Sequence, residues 1–334
     1  MARTILIYSM GEVIGDGLIK LPFIGGLRRA FPDAHITWAA AMGETVYAGP
    51  LKAIVAGALD EVIVEGVRGA GSLDWLPWVK PLGARTFDLV IDTQENVARA
   101  MVAKRAASGL FISPAGGFRL SQRRPAAGDP DPWPTAVVDR FAKLLSLATG
   151  KPETLSPLQI ADARTRAVAE ALLPSGPSYV GIAPGAGGQD KRWPLDRFLA
   201  LAERQVARGR TPVGFFGPDE AEDCRAAQAA LPGLLLPEWD RDDDFRDVKG
   251  PALVVALAGR LAAAVANDAG PGHMFAAGGA PLLSLQKDRR RAAKFRPAAP
   301  HLEVLVAEDY GSDMTALPLD AADAALERLL KDAD

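Results

Sequence analysis

The sequence predicts an α/β fold built on parallel sheets and divided into two similar halves. Short β-rich apolar runs alternate with longer stretches of helical period, which is the pattern of β-α-β units. The alternation breaks at Pro174-Ser175-Gly176-Pro177 and then restarts. A chain of 334 residues, at ~150 residues per domain, also accounts for two cores.

In order, Ile5 to Tyr8 is the first expected strand, Leu18 to Ala30 a helix and His35 to Ala40 a strand after the Pro32-Asp33 turn. Glu61 to Val64 and Asp88 to Asp92 repeat the strand pattern, and Asn96 to Ala107 is rich in helix formers. Ser113 to Trp133 turns to Pro, Gly and basic residues and reads as a mobile loop. Helices are expected at Val137 to Ala148 and Arg164 to Leu173, with the linker near Pro174. The second half reads Tyr179 to Ala183 (strand), Leu195 to Ala207 (helix), Val213 to Phe216 (strand) and Ala221 to Ala230 (helix). Leu253 to Leu261 (helix), Ala263 to Ala266 (strand), His273 to Ala277 (helix), Pro281 to Leu285 (strand) and the amphipathic Leu319 to Leu330 complete it.

Composition excludes several classes. A formal charge of -3 and a mean hydropathy of +0.06 describe an ordinary globular chain without a global cationic field, so wholesale nucleic-acid wrapping is disfavoured. The single cysteine, Cys224, makes no intramolecular disulfide, and three histidines are too few for a structural zinc site. The apolar start is too short for a signal peptide, and Pro251 to Ala266, interrupted by Arg260, falls short of the ~20 residues that span a bilayer. A cytoplasmic location is expected, with any membrane contact peripheral.

Three segments carry chemistry. Gly11-Glu12-Val13-Ile14-Gly15-Asp16-Gly17 follows the first strand, where doubly wound sheets open their ligand crevice. It lacks the dinucleotide fingerprint, and an acid beside a pyrophosphate is poorly placed, so NAD binding is rejected. Asp16 reads either as a helix N-cap or as a general base, and Glu12 competes for the second role. Pro184-Gly185-Ala186-Gly187-Gly188, followed by Lys191-Arg192-Trp193-Pro194, offers backbone N–H groups and two cations to a diphosphate, or else a solvated pair at a helix start. It is no Walker A loop, because Asp190 and Arg192 stand where Gly and a hydroxyl belong. Asn267-Asp268-Ala269-Gly270-Pro271-Gly272-His273 runs from strand through a tight turn into a helix, placing Asp268, Gly270 and His273 at the same edge of the second sheet.

Together these segments resemble glycosyltransferase family 9, the ADP-heptose:lipopolysaccharide heptosyltransferases. The resemblance rests on Gly15-Asp16 with Pro22, Pro184-Gly185-Ala186, Lys191-Arg192-Trp193-Pro194, and Asn267 through Pro281; Phe87 to Asp92 and Gly217-Pro218-Asp219-Glu220 also fit. It implies a GT-B fold, two Rossmann-like domains with parallel sheets facing across a cleft. Residues 1–174 would bind the acceptor, 175–316 would bind the nucleotide sugar, and 317–334 would form a helix packing back on the N-terminal domain.

The resemblance further implies an inverting, metal-independent transferase moving heptose from ADP-heptose onto a lipopolysaccharide core or related anionic glycolipid at the cell envelope. Asp16 would take the acceptor proton, and Lys191 would hold the donor diphosphate in place of a metal. Gly185, Ala186, Gly187, Asp268, Gly270 and His273 would line the donor site, with Glu220 or Glu222 at the ribose. Glu12, Gln94, Arg119, Arg123 and Arg124 are the acceptor-side candidates. Gly187 and Ala269 stand where members usually carry hydroxyls, which leaves open another nucleotide sugar or a non-catalytic binding protein. Gln286-Lys287 and Arg289-Arg290-Arg291, beyond the strand at Leu283, read as phosphate contacts or, preferably, as a solvated face. Trp75, Trp78 and Trp133 are candidates for sugar or membrane contact.

Overall fold

The computed structural model describes residues 2–69, 71, 73–74 and 76–331, so Trp75 lies outside the described residues. The chain divides into two units, Met1–Ala161 and Asp162–Asp334.

The first unit holds β1 (Thr4–Ser9), α1 (Ile14–Ala30), β2 (His35–Ala40), α2 (Lys52–Val55), β3 (Glu61–Ile63), β4 (Phe87–Asp92), α3 (Val97–Lys104), β5 (Ala107–Ile112) and α4 (Val137–Thr149). Its strands form one parallel sheet in the order β3-β2-β1-β4-β5. The buried run Ile5-Leu6-Ile7-Tyr8 makes β1 the centre of this sheet, as a strand covered on both faces must be.

The second unit holds α5 (Ala163–Leu172), β6 (Tyr179–Ala183), α6 (Leu195–Ala207), β7 (Thr211–Gly214), α7 (Ala221–Ala230), α8 (Pro251–Ala258), β8 (Ala263–Asn267), α9 (Gly270–Gly278), β9 (Leu282–Gln286), α10 (Arg289–Phe295), β10 (Leu302–Val306) and α11 (Leu319–Lys331). Its sheet is also parallel, in the order β10-β9-β8-β6-β7. In both sheets the order reverses beside the first strand: between β1 and β4 in one unit, between β6 and β8 in the other. Ligands of open α/β sheets bind outside the carboxyl ends of the strands at such switch points.

Four expectations change. The division falls after Ala161 rather than at 174, because Val168, Ala169 and Leu173 on and after α5 are buried in the same cluster as Tyr179, Leu253 and Leu257. The Pro174 to Pro177 turn is therefore internal to the second unit, where Tyr179 donates to the Pro174 carbonyl at 3.0 Å. Helix α11, expected to pack back on the N-terminal domain, joins the core of the second unit. Its Leu326, Leu329 and Leu330 join the core of Phe198 and Leu201, and its Asp323 pairs with Arg204 and Arg208.

The segment 113–133 is stitched down rather than loose: Ser113 and Ser121 exchange hydrogen bonds, Phe118 is buried, and Asp129 pairs with Lys143. Finally, β5, α10 and β10 escape the sequence reading altogether, and β7 begins at Thr211, two residues before the expected strand.

Candidate functional site

Each switch point collects the residues that the sequence singled out. In the first unit, β1 runs into Gly11, whose N–H donates to the Met42 carbonyl at 2.6 Å. Glu12 then bridges to Thr45, carrying the chain past the sheet before α1 begins. The residue before α1 is Val13, so Asp16 is not its N-cap. Asp16 sits in the first turn of α1, exposed, with no hydrogen bond or ion pair among the described residues. The N-cap reading therefore falls, and a free carboxylate is left at the sheet edge. Gly17 makes this placement feasible: a Cβ there would meet Val46 Cγ2 at 2.3 Å, and Tyr47 donates to the Gly17 carbonyl at 2.8 Å. The Tyr47 hydroxyl is held well above its ordinary pKa by burial first, then by the charges of Glu12 and Asp16, which places both carboxylates near it.

Glu12 has the opposite character. Its side chain is 1% exposed and pairs with Lys20 at 3.0 Å, while Ser9 donates to the same oxygen at 2.6 Å. Thr93 bonds to Ser9 and Gln94 bonds to Thr93, at 3.2 and 3.1 Å. One hydrogen-bonded line thus crosses the switch point from β4 to β1 and locks Glu12 in place. Oε2 of Glu12 is buried without a hydrogen-bond partner among the described residues. A carboxylate this enclosed braces the loop, whereas Asp16 is open to an incoming hydroxyl.

Of the arginines expected on the acceptor side, Arg123 spends its guanidinium on the Leu147 and Ala148 carbonyls at the end of α4. This is a helix-capping role. Arg119 is exposed, and Arg124 donates to its carbonyl at 3.1 Å. Arg124 lines two neighbouring cavities of the first unit. One is about 370 Å³, walled by Glu95, Phe118 and Trp133; the other is about 800 Å³, walled by Lys143, Lys151 and Asp139. Trp133 is fixed by Glu95 at 3.0 Å and stacks edge-on with Phe118. Phe118 adopts φ 63°, a left-handed conformation that a non-glycine residue holds only when its surroundings impose it.

In the second unit Asn267, at the end of β8, ties the two key turns together. Its Nδ2 donates to the Pro184 carbonyl at 2.7 Å, and its Oδ1 accepts from the Trp193 N–H at 3.1 Å. Trp193 is buried, donating from Nε1 to the Leu317 carbonyl at 3.0 Å. The box Lys191-Arg192-Trp193-Pro194 is therefore divided in its labour. Trp193 anchors it and Arg192 braces the turn, bonding the Ala186 carbonyl at 3.2 Å and Asp223 at 3.3 Å. Lys191 lies 3.8 Å from Asp268, whose side chain is 7% exposed.

Glu220 rather than Glu222 reaches the glycine turn. Its Oε2 accepts from the Gly217 N–H at 2.7 Å, and a Cβ on Gly185 would lie 1.7 Å from its Oε1. Glu222 is exposed on α7. His273 is buried in α9, and burial pushes its imidazole down to about 4 against the opposing charge of Asp268. It is neutral at physiological pH and offers the site a hydrogen-bonding group rather than a charge.

Several residues of these sites were not foreseen. Lys20 is a cation on the otherwise apolar stretch Leu18 to Phe23, which is the signal that a partner waits beneath it. Glu238 is pushed up to about 7, mainly by burial, with the charge of Glu220 adding to the effect. Arg291 reaches Asp268 at 2.9 Å and Lys287 reaches Asp190 at 2.6 Å, so this basic run is not simply a solvated face.

Asp92, at the end of β4, is fully buried, and burial raises it to about 7 although Ser113 and the Gln94 N–H donate to it. A buried carboxyl that holds its proton and a buried imidazole that refuses one act oppositely on stability. Between pH 4 and 7 the folded chain keeps the Asp92 proton that the unfolded chain has lost, so this contribution falls as pH rises. Below pH 6.5 the unfolded chain protonates His273 and the fold does not, so that contribution falls as pH drops towards 4. His273→Gln is expected to leave stability falling more steeply as pH rises from 4 to 7, and Asp92→Asn to leave it rising more steeply over the same window, as read from thermal unfolding at pH 4.5, 6 and 7.5.

The model of glycosyltransferase family 9 (heptosyltransferase) matches residues 75–314. The chain belongs to glycosyltransferase family 9. Among solved structures, this family 9 chain is similar to a family 9 glycosyl transferase from Veillonella parvula, at 18% identity and TM-score 0.65, over 98% of this chain and 97% of that one. It is also similar to the E. coli ADP-heptose LPS heptosyltransferase II, at 19% identity and TM-score 0.58 over 98% and 99% of the two chains. E. coli heptosyltransferase WaaC with ADP gives 19% identity and TM-score 0.60 over the same shares. None of the curated proteins matches the sequence. The fold is GT-B, with one Rossmann-like parallel sheet in each unit, and the protein is a glycosyltransferase.

Proposed function

We propose that this family 9 glycosyltransferase moves heptose from ADP-heptose onto an anionic cell-envelope glycolipid, with inversion and without a metal. The observations that carry the reading are an exposed Asp16, without a hydrogen bond or ion pair among the described residues, at the switch point of the first unit, and a glycine turn with cations at that of the second. The solved relatives named for ADP-heptose and for ADP support the choice of donor.

In this reading Asp16 accepts the proton of the attacking acceptor hydroxyl. The N–H groups of the Gly185 turn and the Lys191 ammonium stabilise the departing nucleoside diphosphate, which is the task a metal performs elsewhere. Among the described residues no group of three or more His, Cys, Asp and Glu side chains is arranged to hold a metal ion. Glu220, held against the turn by Gly217, is placed to accept from the ribose, and His273 donates as a neutral imidazole. The cavities beside Trp133 and Arg124 supply the acceptor side with an aromatic surface and a cation. In this reading the chain meets the lipid bearing the acceptor peripherally, on the cytoplasmic face; among the described residues no helix is long and apolar enough to cross a membrane.

A thermal-shift panel of ADP, UDP, GDP and CDP with their sugars tests the donor. ADP and ADP-heptose are expected to stabilise the chain most. Lys191→Ala is expected to weaken the preferred ligand by about tenfold or more, the worth of one charge-assisted contact. A stronger response to another nucleotide replaces the donor, and unchanged affinity in Lys191→Ala removes Lys191 from the diphosphate.

A further inference from the structure

The donor turns are poor in side-chain donors. Gly185, Ala186, Gly187 and Gly188 after β6, and Ala269 and Gly270 after β8, bring only backbone N–H groups. The side chains that gather there instead are charged. Lys191 and Arg291 share the Asp268 carboxylate at 3.8 and 2.9 Å, and Lys287 holds Asp190 at 2.6 Å. Three cations thus gather around Asp268 and Asp190, and the charges of Asp288 and Asp313 also reach Lys287.

The two carboxylates differ in kind. Asp268 is 7% exposed and fixed, its N–H bonded to the Leu285 carbonyl at 3.0 Å. Asp190 is 63% exposed, at the surface end of its pair. An exposed ion pair is worth little and yields readily to a ligand of higher charge. Arg291 is itself held: its N–H donates to Asp288, the residue capping α10, at 2.8 Å, and its guanidinium lies 5.4 Å over the Phe295 ring. Beside this group a Cβ on Gly187 would meet nothing within 4 Å, so the space over the turn is open.

We propose that Lys287 and Arg291 complete, with Lys191, a three-cation clamp for the donor's diphosphate, and that Asp190 occupies Lys287 only until the diphosphate displaces it. The inference rests on the donor reading above and adds two binding residues and one competing carboxylate to it. Arg291 presents a planar fork to phosphate oxygens, and Lys287 a mobile point charge.

Titration calorimetry of the full chain with ADP, UDP, GDP and CDP, and with the four corresponding monophosphates, tests it. Lys287→Gln is expected to weaken the preferred diphosphate about tenfold while changing the monophosphate far less, and Arg291→Gln to do the same. Asp190→Asn is expected to tighten the diphosphate several-fold, because it removes the competitor. A purely structural Lys287–Asp190 pair predicts that both of its variants behave alike. Equal or absent changes in Lys287→Gln and Asp190→Asn therefore overturn the clamp, as does unchanged affinity in a folded Arg291→Gln. Failure of the parent chain to bind any of the four diphosphates overturns the donor reading itself, so the two failures are distinct.

Discussion

Asp16→Asn is expected to lower the turnover number by ~10²–10⁴-fold, the range that a positioned general base contributes. Nucleotide affinity is expected to stay at the parent value, because the turns proposed to hold the donor lie wholly in the second unit. The asparagine keeps the size and exposure of the side chain, and Asp16 makes no hydrogen bond or ion pair among the described residues. Single-turnover transfer from the preferred nucleotide sugar, read beside calorimetric binding, separates the two quantities. Full activity in Asp16→Asn would remove it as the base. Glu12→Gln gives the contrast: with the charge of the enclosed Lys20 pair broken, it is expected to lose thermal stability before it loses chemistry.

Asn267→Ala is expected to cost ~2–6 kcal/mol of stability in the second unit, since it strands two buried partners at ~1–3 kcal/mol each. The Pro184 carbonyl loses its 2.7 Å donor and the Trp193 N–H its 3.1 Å acceptor. Those partners sit at the bases of the glycine turn and of the Lys191 segment, so donor affinity is expected to fall with stability. Denaturant unfolding and nucleotide titration on the same sample check both. A variant of parent stability would show that other contacts hold the two turns.

Much of this was legible in the sequence because it depends on local chemistry. Buried central strands announce themselves as unbroken apolar runs, and β1, β2, β6 and β8 stand within about a residue of where periodicity places them. The missed strands β5 and β10 are both sheet edges, half covered, and begin or alternate with polar residues such as Ser108 and Glu303, so their pattern is weak. Strand order is set by tertiary packing and left no trace in the reading of two similar halves. The site motifs could be found, but the work done by each side chain could not. Only geometry separates the enclosed Glu12 from the open Asp16, Glu220 from Glu222, or Arg123 as a helix cap from Arg124 beside a cavity. Lys287 and Arg291 could be read only as phosphate contacts or a solvated face, since their carboxylate partners lie 97 and 23 residues away.

The placement of α11 has a practical meaning for recombining this enzyme with its relatives. Asp323 answers Arg204 and Arg208, and Glu327 answers Arg210, so the last helix and α6 form one electrostatic block around a shared apolar core. A chimera that exchanges donor preference must therefore carry everything from Asp162 to the end of α11. A junction placed before Leu319 would graft three arginines without their acids, and would transplant a binding site onto half of its foundation.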